Sequence, residues 1–176
     1  MSSDSFLDKK SLGILVHPSC LPGGTYCGTF GQGLVDWLEI LSNHNIKIWQ
    51  FLPLTPTDSK GSPYSSPSSF ALNPWFLDLD ELVKSGYILR ADLAEFGSLK
   101  DPNLDYFEFD RANDLTNIFG NCLFASWSQQ GENIKSKFYC WLDNNPWVDD
   151  YSIFMVLKYE FRGAPWWEWP EEFRFK

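Results

Sequence analysis

Hydrophobic positions divide the first third of the chain into three elements. Leu12-Gly13-Ile14-Leu15-Val16 is a short, nearly continuous apolar run, as expected of a strand buried on both faces, and it stops at His17-Pro18-Ser19. Leu34, Trp37, Leu38 and Leu41 then recur at i, i+3, i+4 and i+7, which predicts a helix over about Gln32–Asn43. Ser42-Asn43-His44-Asn45 supplies its C-terminal stop. Ile46-Lys47-Ile48-Trp49-Gln50-Phe51-Leu52 is mostly aliphatic, aromatic or β-branched, without Gly or Pro, and reads as a second buried strand. Strand, helix and strand at this spacing predict a βαβ unit with parallel strands and a right-handed crossover.

The pattern then breaks. Pro53, Pro56, Pro63, Pro67 and Pro74 each remove a backbone donor and restrict the preceding residue, so residues 53–74 form no regular element. Thr55, Thr57, Ser59, Ser62, Ser65, Ser66, Ser68 and Ser69 lie between them, with Tyr64 and Phe70 interspersed. A loop of this length after a buried strand is usually functional or disordered. Past it, Trp75-Phe76-Leu77-Asp78-Leu79 is expected to be extended, and Asp80–Ser85 to be a short helix with Asp80 as N-cap and Gly86 as stop. Tyr87 to Phe109 is turn-rich and shows no chemistry.

From about Asn113 the period is helical. Leu115, Ile118, Phe119 and Cys122 form one stripe; Ile134, Phe138, Trp141 and Leu142 form another, ended by Asn144-Asn145-Pro146. A third helix, about Val148–Arg162, is apolar nearly all round and is expected to be buried in something larger. Gly163 and Pro165 end it. Trp166-Trp167-Glu168-Trp169-Pro170 reads as a structural aromatic corner. No further strand alternation follows, and two parallel strands cannot stand alone, so the chain reads as part of an unfinished α/β sheet with a largely helical insertion.

Composition narrows the chemistry. A net charge of −9 without a basic run argues against phosphate neutralisation, so no nucleic-acid partner is expected. No apolar run reaches the length of a membrane span, and the first ten residues lack a secretion pattern; the expected location is cytoplasmic. Cys20, Cys27, Cys122 and Cys140 match no zinc or redox spacing, so no metal or cofactor is assigned and reduced, mostly buried thiols are expected. The glycines of the Cys20–Gly33 loop lack the dinucleotide spacing. Gly61 with Lys60 does not make a phosphate cradle. Hydroxyls and ring faces in the 53–74 loop suit a neutral polyhydroxylated ligand, since aromatic faces cover the C–H face of a pyranose. Aromatics at 18% extend that possibility to a groove of planar rings, or simply fill a bulky core. A purely structural loop, its serines capping turns and Tyr64 packing on the core, accounts for the same composition. Position favours function: in parallel α/β folds ligands gather at the carboxyl ends of the strands, where both His17-Pro18-Ser19 and this loop fall.

Several ordered segments together resemble the amylomaltases, or disproportionating enzymes, of glycoside hydrolase family 77. Leu12 to Gly23 is similar to that family's opening strand and loop, and Trp49-Gln50-Phe51-Leu52-Pro53-Leu54-Thr55-Pro56-Thr57 to its second strand and exit. Gly61-Ser62-Pro63-Tyr64-Ser65-Ser66 with Ser69-Phe70-Ala71-Leu72-Asn73-Pro74-Trp75 is similar to its substrate loop, and Ala164-Pro165-Trp166 with Trp169-Pro170 to its proline-tryptophan corner. Two departures stand out. Many bacterial relatives read Gly-Tyr-Gly-Asp before the Ser-Pro-Tyr, where this chain has Ser59-Lys60-Gly61 before Ser62, and Pro67 replaces a usual aromatic.

The resemblance implies a (β/α)8 TIM barrel of which this chain holds the first two parallel strands: 1–56 as the first βαβ unit, 57–176 as substrate loop and mainly helical insertion, the other strands absent. It implies a 4-alpha-glucanotransferase moving α-1,4-glucan segments by retaining double displacement, with an Asp nucleophile, a Glu acid/base and a second Asp. Those carboxylates belong to later strands, so no catalytic residue is placed here and the isolated chain is expected to be inactive. Ser62 and Tyr64 are the implied substrate-binding residues, Tyr64 as a ring platform. The implied partners are an α-1,4-glucan and the missing C-terminal part of the barrel; the alternative is a non-catalytic glucan-binding or regulatory remnant.

Overall fold

The computed structural model describes residues 10–24, 27–58, 60–92 and 109–174, which fall in two compact units, Met1–Gln129 and Gln130–Lys176. The first opens with β1 (Gly13–Leu15), α1 (Gln32–Asn43) and β2 (Ile48–Gln50). The strands pair in parallel, Gly13 opposite Ile48, Ile14 opposite Trp49 and Leu15 opposite Gln50. Lys47 N donates to Leu12 O at 3.2 Å and Val16 N to Gln50 O at 3.1 Å, so hydrogen bonding continues just past both ends of the pairing. The helix keeps its expected limits. Its last turn closes with His44 N on Ile40 O, and Asn45 takes the left-handed conformation (φ 54°) that reverses the chain into β2.

Burial of β1 departs from expectation. Leu15 is 58% exposed, and Leu12 is exposed as well. A parallel strand becomes buried on both faces only when strands flank it and helices cover it. Among the described residues β1 has one neighbour, β2.

Trp75 to Leu79 is not extended either. Pro74–Phe76 is a 3-10 turn, with Pro74 at its first position and Asn73 Oδ1 accepting Trp75 N at 3.0 Å. The next helix, α2, spans Leu79–Lys84, and its N-cap is Asp78 rather than Asp80. Asp78 has the extended backbone a cap requires (φ −92°, ψ 119°), and its Oδ1 accepts Glu81 N at 3.0 Å. Gly86 stops the helix at φ 75°, as expected. The helical stripe near Asn113 begins a turn earlier than its apolar period, as α3 (Phe109–Trp127). Leu115 and Phe119 of α3 bury against Leu79 and Ile88, with Leu82, Val83, Cys122 and Leu123 around them. Ile118, expected on this stripe, is exposed. Most of the Tyr87–Phe109 stretch lies outside the described residues.

The second unit contains α4 (Glu132–Asp143), α5 (Trp147–Glu160) and the short α6 (Glu171–Arg174). Sequence predicts α5 buried in something larger than itself; within this chain Val156 is 68% and Tyr159 84% exposed, so part of its apolar surface is open here. The end of α5 is a left-handed cap: Arg162 and Gly163 have φ 52° and 80°, and Gly163 N reaches back to Lys158 O at 2.7 Å. Of the three clustered indoles only Trp169 is a packed corner. Its ring lies 5.6 Å from Phe154 and 5.5 Å from Phe161, and its Nε1 donates to Ala164 O at 2.9 Å. Trp166 and Trp167 are exposed.

The thiols also correct the sequence expectation. None of the four forms a disulfide, but Cys20 and Cys140 are exposed and Cys27 and Cys122 only part-buried. Among the described residues no helix is long and apolar enough to cross a membrane.

Candidate functional site

Because β1 and β2 run in the same direction, the segments that leave them emerge at one edge of the sheet. His17 lies just past β1, and the hydroxyl-rich loop just past β2. The two exits are tied together: Trp49 Nε1 donates to Val16 O at 2.8 Å. At the far end Asn73 N donates to Leu54 O at 2.8 Å, so the loop closes on itself at a neck beside the strand exit. Beyond the neck, the Phe76 ring stacks on Phe30 at 5.1 Å and tilts against the His17 imidazole at 5.6 Å. Thr29 Oγ1 donates to Asp78 Oδ2 at 2.6 Å, so the residue that caps α2 also holds the loop after β1. Gly31 lies against the Asp78 carboxylate, where a Cβ would overlap it.

Inside the loop, one carboxylate sets the conformation. Asp58 Oδ1 accepts Lys60 N at 2.9 Å and Ser62 N at 2.8 Å, an Asx-type turn that brings the chain back on itself. Gly61 completes it at φ 79° with its N on Asp58 O at 3.0 Å, and the Phe109 ring of α3 lies where a Cβ would be. Phe109 in turn packs 5.9 Å from Trp75. These bonds hold the Asp58 carboxyl below its ordinary value: the Ser62 N–H contributes most, against some burial, followed by the Lys60 N–H, the Lys60 charge and the Ser65 hydroxyl. A carboxylate so engaged serves as an anchor, not as a proton donor near neutrality.

Two of the serines are consumed by turns. Ser66 Oγ donates to Ser68 O at 2.7 Å, and Ser68 Oγ accepts the N–H groups of Phe70 (3.1 Å) and Ala71 (3.0 Å). The two sequence-predicted site residues are not used this way. Ser62 is part-buried and Tyr64 is 74% exposed, two positions apart just after the Asp58 turn. Among the described residues neither side chain makes a hydrogen bond or ring contact, so a hydroxyl and a phenol are both left available on one rigid corner.

His17 is the other polar group at this edge. Its Nδ1 meets Ser19 Oγ at 2.7 Å and Ser19 N at 3.4 Å, capping the 3-10 turn Pro18–Cys20, while Nε2 is buried without a partner at hydrogen-bond distance. Burial pushes the imidazole below its usual range, and the Pro53 backbone opposes this in part. No group of three His, Cys, Asp or Glu among the described residues could hold a metal ion.

Sequence reasoning points to Ser62 and Tyr64 and misses the residues that position them. Asp58-Ser59-Lys60-Gly61 carries an Asx-turn signature from which Asp58 can be identified. Nothing local to Phe109 announces its contact with Gly61, since the two are brought together only by the fold.

A parallel strand pair joined by a helix, with a hydroxyl-and-ring loop at the strand exits, is an α/β arrangement. Residues 16–176 match the family described as 4-alpha-glucanotransferase, and the chain belongs to that family. The 4-alpha-glucanotransferase of Synechocystis is 32% identical over 173 residues, which are 97% of this chain and 34% of that protein. That of Clostridium butyricum is 34% identical over 164 residues, 92% of this chain and 32% of that protein. An amylomaltase from Streptococcus agalactiae, solved in complex with acarbose, aligns with a TM-score of 0.74 at 30% identity, covering 93% of this chain and 32% of that one. The chain thus spans about a third of the length of the curated relatives it matches.

Proposed function

We propose that this chain is part of a 4-alpha-glucanotransferase and contributes the rim of its glucan site, with Ser62 and Tyr64 as the binding residues. The observation that carries this reading is the pair on a braced corner: Tyr64 offers an open ring face and Ser62 a hydroxyl, at the edge where ligands gather in parallel α/β folds. A glucose unit has both features to match, a C–H face for the ring and hydroxyls for the serine. The Streptococcus agalactiae amylomaltase was solved with acarbose, a saccharide analogue, which supports the same ligand class here.

In this reading β1, α1 and β2, residues 1–56, begin a (β/α)8 barrel, and 57–176 supply the substrate loop and a helical subdomain. The chemistry is retaining double displacement by carboxylates on strands outside this chain. The rim binds and orients the glucan while those groups cleave and transfer it. Alone, the chain binds maltooligosaccharides weakly and converts none.

Calorimetric titration with maltoheptaose tests this. Tyr64→Ala is expected to weaken binding about tenfold, and Tyr64→Phe to retain most of it. Unchanged affinity in Tyr64→Ala would remove the ring from the site. Conversion of maltotriose into glucose and longer glucans by the purified chain would remove the claim that the acting carboxylates lie elsewhere.

A further inference from the structure

We infer that Cys20 and Cys27 are a redox modification site: a low-molecular-weight disulfide such as oxidised glutathione links them reversibly within the loop after β1. The inference goes beyond the glucan reading and does not depend on it.

A single hydrogen bond brings the two backbone segments together. Gly28 N donates to Ser19 O at 2.8 Å. That carbonyl belongs to the peptide group that also carries the Cys20 Cα, and that N–H belongs to the peptide group that carries the Cys27 Cα. Standard bond lengths then keep the two Cα atoms within about 8 Å, whatever the local torsions. A disulfide takes about 4.4–6.8 Å, so this bond leaves the Cα atoms at most about an ångström beyond bridging range. The crossing is also tight: Gly28 is buried, and a Cβ there would overlap Pro18 O and the Leu21 backbone.

The two thiols differ in a way that orders the reaction. Cys20 is exposed, where a solution disulfide reaches it. Cys27 is part-buried, and its Sγ donates to Gly28 O at 3.3 Å and Trp75 O at 3.7 Å. Its thiol is pushed up to about 12, first by burial and then by the charge of Cys20, so the two sulfurs lie within electrostatic reach of each other. Cys20 as thiolate attacks one sulfur of oxidised glutathione, and the S–S bond breaks with one glutathione thiolate leaving. Cys27, deprotonated, then attacks the Cys20 sulfur of the mixed disulfide and releases the second. Two cysteine thiols are oxidised, one glutathione disulfide is reduced, and the two thiol protons pass to the departing thiolates. Deprotonating Cys27 limits the second step, so closure speeds up as the solution becomes more alkaline. Closure also withdraws Cys27 from the Trp75 carbonyl, at the point where the hydroxyl loop ends.

The full chain is equilibrated with mixtures of oxidised and reduced glutathione, quenched with acid, alkylated and digested with trypsin. No Lys or Arg lies between Lys10 and Lys47, so one peptide, residues 11–47, carries both cysteines. The expected product is that peptide two hydrogens lighter and unalkylated, restored by excess reduced glutathione. The ratio of closed to open peptide should exceed that in denaturant by at least about tenfold, because the fold holds the pair together. Equal ratios in the two conditions would overturn the inference. So would a lasting glutathione adduct on Cys20 with Cys27 alkylated, or pairing of either residue with Cys122, Cys140 or a second chain.

Discussion

Asp58 Oδ1 and the backbone N of Ser62 lie 2.8 Å apart, and this bond, with a second to the N of Lys60 at 2.9 Å, fixes the corner that carries Ser62 and Tyr64. Asp58 is therefore a positioning residue in the glucan reading. Asp58→Ala leaves two backbone donors of the turn without their acceptor, and is expected to weaken maltooligosaccharide binding several-fold while leaving helix content unchanged. Asp58→Asn keeps one carbonyl acceptor and should lose less. The pH dependence has a definite sign. The folded carboxyl titrates below its ordinary 3.8, so its contribution is fully present above that value and is lost as pH falls through the lower folded value. Amide resonances of Lys60 and Ser62, followed during an acid titration, should shift with a midpoint below 3.8. A midpoint at or above it would contradict the geometry.

Gly61 and Gly86 separate two reasons for glycine. Both are left-handed, at φ 79° and 75°. At Gly86 nothing lies within 4 Å of where a Cβ would sit, whereas at Gly61 the Phe109 ring occupies that place. Gly86→Ala should cost about 1–2 kcal/mol, the backbone penalty alone. Gly61→Ala adds about 1–3 kcal/mol of overpacking against Phe109. Urea unfolding of the two variants measures the difference directly. A Phe109→Ala background should relieve most of the excess at Gly61 and none of the loss at Gly86.

The helices provide a contrast in packing. Phe119 of α3 is 2% exposed within the cluster of Leu79, Ile88 and Leu115, so Phe119→Ala should destabilise the chain by about 3–5 kcal/mol. Val156 of α5 is open to solvent, and Val156→Ser should change stability by no more than about 0.5 kcal/mol. Chemical denaturation with helix content as readout checks both. A large loss at Val156 would mean that α5 is covered in solution.

The chain announces some of this architecture locally and hides the rest. The limits of α1 are legible because four apolar side chains share one face and a polar Ser-Asn-His-Asn run ends it. The strands are legible as strands, but their exposure is not: periodicity reports which faces are apolar, not what covers them, and the same gap separates the expected burial of α5 from its open surface. Sequence alone places the α2 cap wrongly at Asp80, because Asp78 and Asp80 are both eligible and burial of Leu79 selects the former. At the site, composition supplies hydroxyls and rings without saying which are free. Ser66 and Ser68 fold the loop, whereas Ser62 and Tyr64 keep their side chains unengaged, and only the resemblance to a family motif distinguishes them in advance. The Gly61–Phe109 contact joins residues far apart in sequence, which no local pattern can encode.

His17 makes stability depend on mild acidity. Its Nδ1 lies 2.7 Å from Ser19 Oγ and accepts Ser19 N at 3.4 Å, and Nε2 is enclosed without a partner at hydrogen-bond distance. Protonation would place a second N–H against the Ser19 donor and a charge in a part-buried site beside Phe76. The folded imidazole accordingly titrates below its ordinary 6.5. The unfolded chain binds the proton first, so stability is highest above 6.5 and declines as pH falls from there toward the folded value. His17→Asn retains a side-chain oxygen able to cap Ser19 N and carries no titratable group. Urea midpoints measured on either side of the histidine range should fall with acidification in the parent chain and fall less in His17→Asn. Equal declines in the two proteins would assign the acid sensitivity to the carboxylates and leave His17 with a capping role alone.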